Sequence, residues 1–465
     1  MARIGVLALA RPTFDVPFAE ENAAKAFAAL DRSGHAIIGG RALLFDAAAA
    51  EEALGALRGE ALDLLLILQV TFTDATMTVQ IAMEADAPLA IWAFPEPRTG
   101  GRLRLNAFCG LNLAAHALGR ASHALRWLYA APDAPTLSAE FDKLIASGGG
   151  HARLPSAPEP TEADAQVAER ALSALRGARI GLLGEHPPGF DTCHYEPAAL
   201  RRLAGTEVDR IPLATLLARA RAIPAEEIAE TRASVSAEVA DLDMVDQAQL
   251  DRSLSVYRAL DGLARGENFK ALAVRCWPEM FTEYGCAACG PMGFMNGDGI
   301  PSACEADVYG ALSALALQEL AGEPAFLADV VDMDGVSDTG VVWHCGLAPL
   351  SMADPATPPT ATVHSNRRMP LLQEFALKPG RVTVARFSQA RGEPKLVVAG
   401  ATMVSAPKSF SGTSGVIRFD RRADEVAAAM MDLGLEHHVA LVYRDVRGPL
   451  RAMGAAMGIP VVELA

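Results

Sequence analysis

The chain contains no apolar run long enough to cross a membrane. A transmembrane helix needs about 20 consecutive apolar residues, whereas the longest apolar segments here, such as Leu62–Val70, have only the length of a β-strand. The first ten residues also lack the sustained apolar stretch of a signal peptide. We therefore expect no contact with membranes and a cytoplasmic location.

Cysteine and positive charge are scarce as well. Seven cysteines in 465 residues, an odd number, fit a reducing compartment better than a disulfide framework. Lys and Arg total 41 against 56 Asp and Glu, which gives a formal net charge of −15. Proteins that bind nucleic acids or anionic membranes present basic surfaces. The composition therefore argues against both kinds of partner.

The sequence does contain a regular alternation of short apolar runs and alanine-rich stretches with helical spacing. In the first third of the chain the strand candidates are Ile4–Leu9, Ala36–Gly39, Leu62–Gln69 and Leu89–Ala93. The helix candidates between them include Glu20–Arg32 and Ala47–Leu57. Such alternation is typical of a doubly wound parallel sheet, which binds its ligands at the carboxyl ends of the strands.

Breaks rich in glycine and proline divide the chain into three parts. The run Gly148–Gly150 and the prolines after it end an N-terminal α/β domain at residues 1–155. A second doubly wound α/β domain covers residues 156–349. After Pro349 short strands separated by glycine and proline turns predict a smaller antiparallel β-barrel-like domain over residues 350–465.

The elements expected in the second and third domains follow the same reasoning. The second domain has one long helical region, Pro224–Leu263, and strands at Ala178–Gly184, Ala271–Cys276, Ala325–Val331 and Gly340–His344. The third domain has strands at Arg381–Phe387, Lys395–Val404, Gly415–Phe419 and His438–Tyr443, without long helices between them. A helix over Gly448–Met457 and a strand over Pro460–Leu464 follow.

Three polar residues lie at the ends of predicted elements in the second domain. Glu305 falls in the first turn of a helix, Asp329 near the end of an apolar strand, and His344 at the end of the next strand. If their side chains converge on one rim, carboxylate oxygens together with imidazole nitrogens suit Mn²⁺, Mg²⁺ or Co²⁺. The pattern thus predicts a divalent-metal site.

Each of these residues also has an ordinary structural alternative. Ser302–Glu305 matches a capping box, so Glu305 could simply cap its helix. A lone Asp at a strand end often bonds turn amides, and His344 could be a hydrogen-bonded core residue. Burying the charge of Asp329 in an apolar strand is nevertheless costly without a partner, and a divalent cation is one such partner.

The pair His437-His438 opens the last predicted strand of the β-rich domain. Neighbouring side chains on a strand point to opposite faces of the sheet. We therefore expect only one of the two rings to enter a site, the alternative being a solvent-facing pair.

At this point the residues resemble a known family. The run from Ala303 to Ala311, followed by Phe326–Val330, is similar to the L-fucose isomerase and L-arabinose isomerase superfamily. Trp343–Gly346 and the histidine pair resemble motifs of the arabinose isomerase branch, and the three-part layout matches along essentially the whole chain. The resemblance implies an Mn²⁺-dependent aldose–ketose isomerase, with Mg²⁺ or Co²⁺ as alternatives. Such an enzyme acts on an open-chain sugar through a cis-enediol(ate) by carboxylate acid/base catalysis.

The resemblance also implies roles for individual residues. Glu305 and Asp329 would be metal ligands and the acid/base pair. His438 would be the third ligand, with His437 as the fallback and otherwise a substrate contact. His344 would be a further ligand or an orienting group. The family implies a homo-oligomer, a trimer or hexamer, in which the first domain of a neighbouring subunit helps to close the active site.

Substrate contacts are expected near the carboxyl ends of the first-domain strands. Gln69, Trp92 and Arg98 lie there, although Trp92 could equally be a core aromatic residue. Arg98, Arg102 and Arg104 form a basic stretch in an acidic protein. They could be a solvated loop, or they could hold an acidic sugar that carries a carboxylate, sulfonate or phosphate.

Two other functions compete with the isomerase. The same fold could serve a non-catalytic sugar-binding or regulatory protein, or another enzyme that passes through an enediolate, such as an epimerase or aldolase. The joint presence of both carboxylates and the late histidines favours catalysis.

Overall fold

The structure is a computed structural model that describes residues 1–146, 152 and 154–465. Three β-sheets follow one another along this part of the chain. The glycine run 148–150, where the first domain boundary was predicted, lies outside the described residues. Among the residues described, no helix combines the length and the apolar character that a bilayer crossing requires.

The first sheet is a parallel sheet of six strands. They are β1 (Arg3–Leu9), β2 (Ala36–Ile38), β3 (Leu43–Leu44), β4 (Leu64–Gln69), β5 (Leu89–Ala93) and β6 (Arg126–Tyr129). The accompanying helices are α1 (Val16–Asp31), α2 (Ala47–Gly55), α3 (Thr76–Glu84), α4 (Ala107–Arg120) and α5 (Leu137–Ala146). The strand order is β2-β1-β4-β5-β6, with β3 paired to β1. Because the order reverses between β1 and β4, the segments after these two strands flank a ligand crevice.

The second sheet is also parallel and has four strands in the order β10-β9-β7-β8. They are β7 (Arg179–Leu183), β8 (Glu207–Ile211), β9 (Ala271–Val274) and β10 (Ser302–Ala303). Its helices are α6 (Glu162–Leu175), α7 (Pro197–Ala204), α8 (Leu213–Arg221), α9 (Ala225–Ser236), α10 (Gln247–Glu267), α11 (Cys289–Gly297) and α12 (Val308–Ala321). The single helix predicted over Pro224–Leu263 is wrong, because the chain leaves the helix after α9 and starts α10 at a new cap. That cap is the Asp246 carboxylate, which accepts a hydrogen bond from the Gln249 N–H at 2.8 Å.

The third sheet has nine strands, and six of them close into a barrel. The nine are β11 (Phe326–Asp334), β12 (Thr339–His344), β13 (Thr360–Thr362), β14 (Leu372–Ala376), β15 (Gly380–Ser388), β16 (Lys395–Val404), β17 (Thr413–Phe419), β18 (His438–Val442) and β19 (Val461–Glu463). Six strands are antiparallel neighbours, in the order β17, β12, β11, β18, β15 and β16. The barrel closes because β16 also pairs with β17. The predicted α/β fold class with a β-barrel-like third part is therefore confirmed.

The barrel differs from the prediction in two respects. Its strands β11 and β12 precede residue 350, so the third sheet takes strands from the segment that had been assigned to the second domain. Two helices accompany the barrel, α13 (Ala423–Leu433) and α14 (Arg447–Met457). The sequence predicted the second of these and missed the first.

Trp92, in the middle of β5, belongs to the core of the first sheet. Its side chain is fully buried, and its ring centroid lies 5.2 Å from that of Phe94 and 6.2 Å from that of Phe141. Its indole N–H donates a hydrogen bond to the Ala130 carbonyl at 2.9 Å. These contacts correspond to the core alternative rather than to a substrate contact.

Replacing Trp92 with phenylalanine should lower the free energy of unfolding by about 1–3 kcal/mol, because the smaller ring leaves a void and the Ala130 carbonyl loses its donor. Urea denaturation followed by circular dichroism measures the change. Met83→Ala is the control, since Met83 is 73% exposed and should change stability little. Unchanged stability together with weaker sugar binding would instead support the substrate contact expected from the sequence.

Candidate active site

One cavity lies where the carboxyl ends of the two parallel sheets meet the rim of the barrel. Glu305, Asp329, His344 and His437 contribute to its lining. Trp277, which follows β9, lines it as well. The structure thus brings the carboxylates and histidines that the sequence singled out to one place.

Asp329 and His438 are cross-strand neighbours on two adjacent strands of the barrel. The register of β11 places Asp329 opposite His438 on β18 and opposite Trp343 on β12, and directly opposed residues of antiparallel strands share one face of the sheet. The Nε2 atom of His438 lies 3.3 Å from Asp329 Oδ1 and 2.9 Å from Glu305 Oε2. Among the described residues, neither this Nε2 nor this Oδ1 has a hydrogen-bond partner. Buried ligand atoms that converge without bonding one another fit a divalent cation.

Glu305 reaches this point from a strained turn after β10. The turn is Cys304–Ala306, and both Glu305 and the residue after it have positive φ angles of 54° and 57°, a region that non-glycine residues rarely adopt. The Trp277 indole N–H donates to Glu305 Oε1 at 3.2 Å. Glu305 is therefore not in the first turn of a helix, and the capping-box alternative is wrong. The cap of α12 is Asp307, whose Oδ1 accepts from the Gly310 N–H at 2.8 Å.

Asp307 also fixes the orientation of His438. Its Oδ2 lies 2.8 Å from His438 Nδ1, and its two oxygens accept hydrogen bonds from Arg386 at 2.7 and 3.1 Å. With Nδ1 donating to Asp307, the Nε2 atom is directed toward Glu305 and Asp329, where the neutral form of the ring would present a lone pair. In metal-binding histidines, the ring nitrogen that does not face the metal commonly donates a hydrogen bond to a carboxylate, which fixes the orientation of the ring.

The charges in this network move the pKa values of its members. Burial alone would raise the pKa of Asp307, but the Arg386 guanidinium and the hydrogen bond with His438 hold it well below its ordinary value. Burial raises the pKa of Asp329. The pKa of Glu305, in spite of its burial, is lowered by the close imidazole of His438. Two neighbouring carboxyl groups with opposite pKa shifts are typical of acid/base pairs.

Of the histidines that the sequence singled out, the other two, His344 and His437, each have a ring nitrogen without a hydrogen-bond partner among the described residues. His344 accepts a hydrogen bond at Nδ1 from the Cys345 N–H at 2.8 Å, and its buried Nε2 has no partner among the described residues. Three possible ligand atoms, one each from His437, His438 and Asp329, lie within 4.8 Å of one another. The expectation that only one ring of the His437-His438 pair enters the site is wrong. His437 precedes β18, so the alternation of a strand does not apply to it.

The three expected substrate contacts of the first domain do not reach the cavity of this chain. Gln69 is buried and donates to the Thr71 carbonyl at 2.7 Å. Trp92 lies in the core, and Arg98 forms an ion pair of 2.7 Å with Asp332 on the barrel. Because each side chain is held by neighbours within the chain, we assign none of them a substrate contact.

The other two arginines of the basic stretch are also held by protein groups. Arg102 donates to the Thr13 carbonyl and to Asn366 Oδ1, both at 2.9 Å. Arg104 donates to Asp15 Oδ2 at 2.8 Å. The cations that line the cavity are other residues, Arg11 and Arg367, which the sequence analysis did not identify.

Sequence reasoning also missed Asp307 and Arg386, although a signal was present for one of them. Arg386 is the charged residue within the mostly apolar run Val382–Phe387 of β15 and is 1% exposed. A charge inside an apolar run is the same signal that identified Asp329. Arg11 follows β1 at the point where the strand order of the first sheet reverses, which becomes visible only once the strand order is known.

Comparisons with known proteins point to one family of sugar isomerases. Residues 5–147 match the family model described as the N-terminal domain of fucose/sulfoquinovose isomerase. The sulfoquinovose isomerase of Alkalicoccus urumqiensis is 32% identical over 403 residues, which is 86% of each chain. That of Priestia aryabhattai is 29% identical over 453 residues, which is 97% of this chain and 96% of the relative. A sulfoquinovose isomerase from Clostridium sp. (strain MSTE9) is 29% identical over 394 residues, or 84% of this chain and 83% of the relative.

Replacing Asp307 with asparagine should destabilise the protein by about 3–5 kcal/mol at neutral pH, because buried Arg386 loses its counter-charge. The depressed pKa of Asp307 means that its stabilising contribution is present above the unfolded-state pKa of about 3.9 and is lost as the pH falls below that value. The difference in stability between wild type and variant should therefore shrink in acid.

Urea denaturation at pH 7 and at about pH 3, below the unfolded-state pKa, measures both effects. Asp424→Asn is the matched control, since Asp424 pairs with Arg422 at 2.9 Å on the surface and should change stability by less than about 1 kcal/mol. Equal losses in the two variants would contradict a special role for the buried pair.

Proposed function

The chain belongs to the fucose/sulfoquinovose isomerase family and is a sugar aldose–ketose isomerase, and from this premise we propose that its substrate is sulfoquinovose. The relatives that carry this name align with 84–97% of the chain. The observation that carries the proposed chemistry is the convergence of His438 Nε2 with Glu305 Oε2 at 2.9 Å and Asp329 Oδ1 at 3.3 Å. The reaction then passes through a cis-enediol(ate) with a divalent cation and a carboxylate acid/base pair.

Glu305, Asp329 and His438 would hold the cation, with His344 or His437 as a further ligand. The unbonded buried atoms at Asp329 Oδ1, His438 Nε2 and His344 Nε2 support this assignment. Carboxylate oxygens with imidazole suit Mn²⁺, and Mg²⁺ or Co²⁺ are alternatives. When bound, such a cation supplies Lewis-acid stabilisation of the negative charge that develops on the substrate oxygens.

The residues of the chain move the protons. One carboxylate of the Glu305 and Asp329 pair removes the proton from one carbon, and a proton that has exchanged with solvent is delivered to the neighbouring carbon. The other carboxyl group exchanges protons with the substrate oxygens. Trp277 holds Glu305 Oε1, which leaves Oε2 directed toward His438. Asp307 and Arg386 keep the His438 ring in place without touching the substrate.

The family resemblance also implies a homo-oligomer, a trimer or hexamer, in which a neighbouring subunit helps to close the cavity. A cytoplasmic location is in keeping with the cysteines, since all seven are free thiols. Both statements belong to the proposal.

Removal of divalent metal should abolish the interconversion of sulfoquinovose and its ketose, and Mn²⁺ should restore it, because the carboxylates alone cannot stabilise the enediolate charge. Nuclear magnetic resonance of the sugar mixture follows the reaction before and after chelation. Full activity in protein verified to be metal-free would remove the cation from the mechanism. Absence of any interconversion with metal present would remove sulfoquinovose as the substrate.

Glu305→Gln and Asp329→Asn should each lower kcat by at least about 100-fold, because each removes one group that transfers protons. Asp424→Asn, on the surface, should leave kcat unchanged. In D₂O the wild type should place deuterium at the carbon that receives the proton, and this is measured by mass spectrometry of the product. Complete retention of the substrate hydrogen would mean a hydride shift, which contradicts the proposed proton transfer.

A further inference from the structure

Two guanidinium groups line the cavity beside its carboxylates. Arg11 follows β1, and Arg367 lies in the loop between β13 and β14. Their central carbons lie 5.2 and 5.8 Å from the centroid of the Trp277 ring. The N–H of the same indole donates to Glu305 Oε1 at 3.2 Å. A single indole therefore lies between the guanidinium pair and the proposed acid/base pair.

This pair of cations lacks matching negative charge. The nearest carboxylate to Arg11 belongs to Asp74, at 3.6 Å, which is longer than a charge-assisted hydrogen bond. Within residues 1–146, 152 and 154–465, the guanidinium of Arg367 has no carboxylate within 4.0 Å, and its recorded contacts are the rings of Trp277 and Phe281. Burial and the charge of Arg11 lower the pKa of Arg367. An anion bound to both groups would relieve this repulsion.

The two loops that carry these arginines are fastened to each other. Arg102 donates to the Thr13 carbonyl near Arg11 and to Asn366 Oδ1 beside Arg367, both at 2.9 Å. The ring of His364 accepts hydrogen bonds at Nδ1 from the backbone N–H groups of residues 366 and 367 at 3.2 and 3.3 Å. Arg102 is thus a positioning residue, and the guanidinium pair is held in place before any ligand arrives.

We infer that Arg11 and Arg367 bind the anionic group at the end of the sugar remote from the reacting carbons and so determine specificity for a sulfonated substrate. The inference rests on the proposed function, because it places the reacting carbons at Glu305 and Asp329. A sulfonate has three oxygens and can accept hydrogen bonds from both guanidinium forks at once. A neutral sugar would leave Arg367 without a counter-charge and Arg11 with only Asp74 at 3.6 Å, and binding sites discriminate against ligands that leave polar groups of the site without partners. Arg11 also lies where the strand order of the first sheet reverses, which is the usual place for a ligand in such sheets.

Binding of two hexitols tests this inference without requiring any reaction. A hexitol with a sulfonate at carbon 6 has no carbonyl and cannot be isomerised, and the unsubstituted hexitol is its neutral partner. Isothermal titration calorimetry on the Mn²⁺-loaded protein should give tighter binding of the sulfonated compound. Arg367→Gln and Arg11→Gln should each weaken that binding about 10- to 100-fold and change binding of the neutral hexitol less than about threefold.

Two further variants separate recognition from structural damage. Arg104→Gln is the matched control, since Arg104 belongs to the basic stretch but donates to Asp15 outside the cavity, and it should bind both hexitols as the wild type does. Arg367→Lys keeps the charge without the fork and should give an intermediate affinity for the sulfonated compound only.

Equal losses for the two hexitols, or equal wild-type affinity for both, would overturn the inference. If the wild type isomerised no sugar and yet bound the sulfonated hexitol through Arg367, the proposed function would fail while this inference stood. If it isomerised sulfoquinovose and Arg367→Gln left the KM unchanged, the reverse would hold.

Discussion

The buried ion pair between Asp307 and Arg386 is the interaction on which the site depends. Its members are 0% and 1% exposed, and they belong to different parts of the fold, since Asp307 caps α12 and Arg386 lies on the barrel strand β15. Asp307 also holds Nδ1 of His438 on a second barrel strand. Removing two charges from water is costly, and such pairs are weak contributors to stability. We therefore interpret this pair as a device that fixes the second sheet, the barrel and one imidazole in a single arrangement.

The barrel explains how residues far apart in sequence come together at the proposed cation site. Antiparallel pairing places Asp329 between Trp343 and His438 without the use of a loop, and a site on paired strands is held more rigidly than one on loops. The second sheet contributes Glu305 from a turn in which two successive residues have positive φ. Strain of this kind persists only where the surroundings impose it, and it is common at functional sites. The rigid strands thus supply one carboxylate and the histidine, and the strained turn delivers the other carboxylate to them.

The sequence could predict those features that depend on local pattern. Apolar strands and their alternation with helices led to the α/β class, and the cost of burying Asp329 led to the metal hypothesis. The same reasoning failed where contacts between residues far apart in sequence determine the structure. Residues 237–246 between α9 and α10 contain neither glycine nor proline, so neither of the usual helix-breaking residues marks the end of α9. The arginines of the basic stretch are neighbours in sequence, but they diverge to different partners, Arg98 to Asp332 and Arg104 to Asp15.

Net charge is a poor guide to the charge of a substrate, and this protein illustrates why. With a net charge of −15, the surface as a whole repels an anionic sugar, but at physiological ionic strength such repulsion fades beyond about 8 Å. Inside a cavity the nearest charged groups dominate the electrostatic interaction with a ligand. Here two guanidiniums lie over the indole of Trp277, whose N–H donates to Glu305. A substrate with an anionic group at one end and a carbonyl at the other would place the anionic group against the guanidiniums and the carbonyl at the proposed cation site. The carboxylates alone would repel such a substrate. In the proposed function, a cation between the carboxylates and the guanidinium pair beside Trp277 would each balance negative charge, at opposite ends of one molecule.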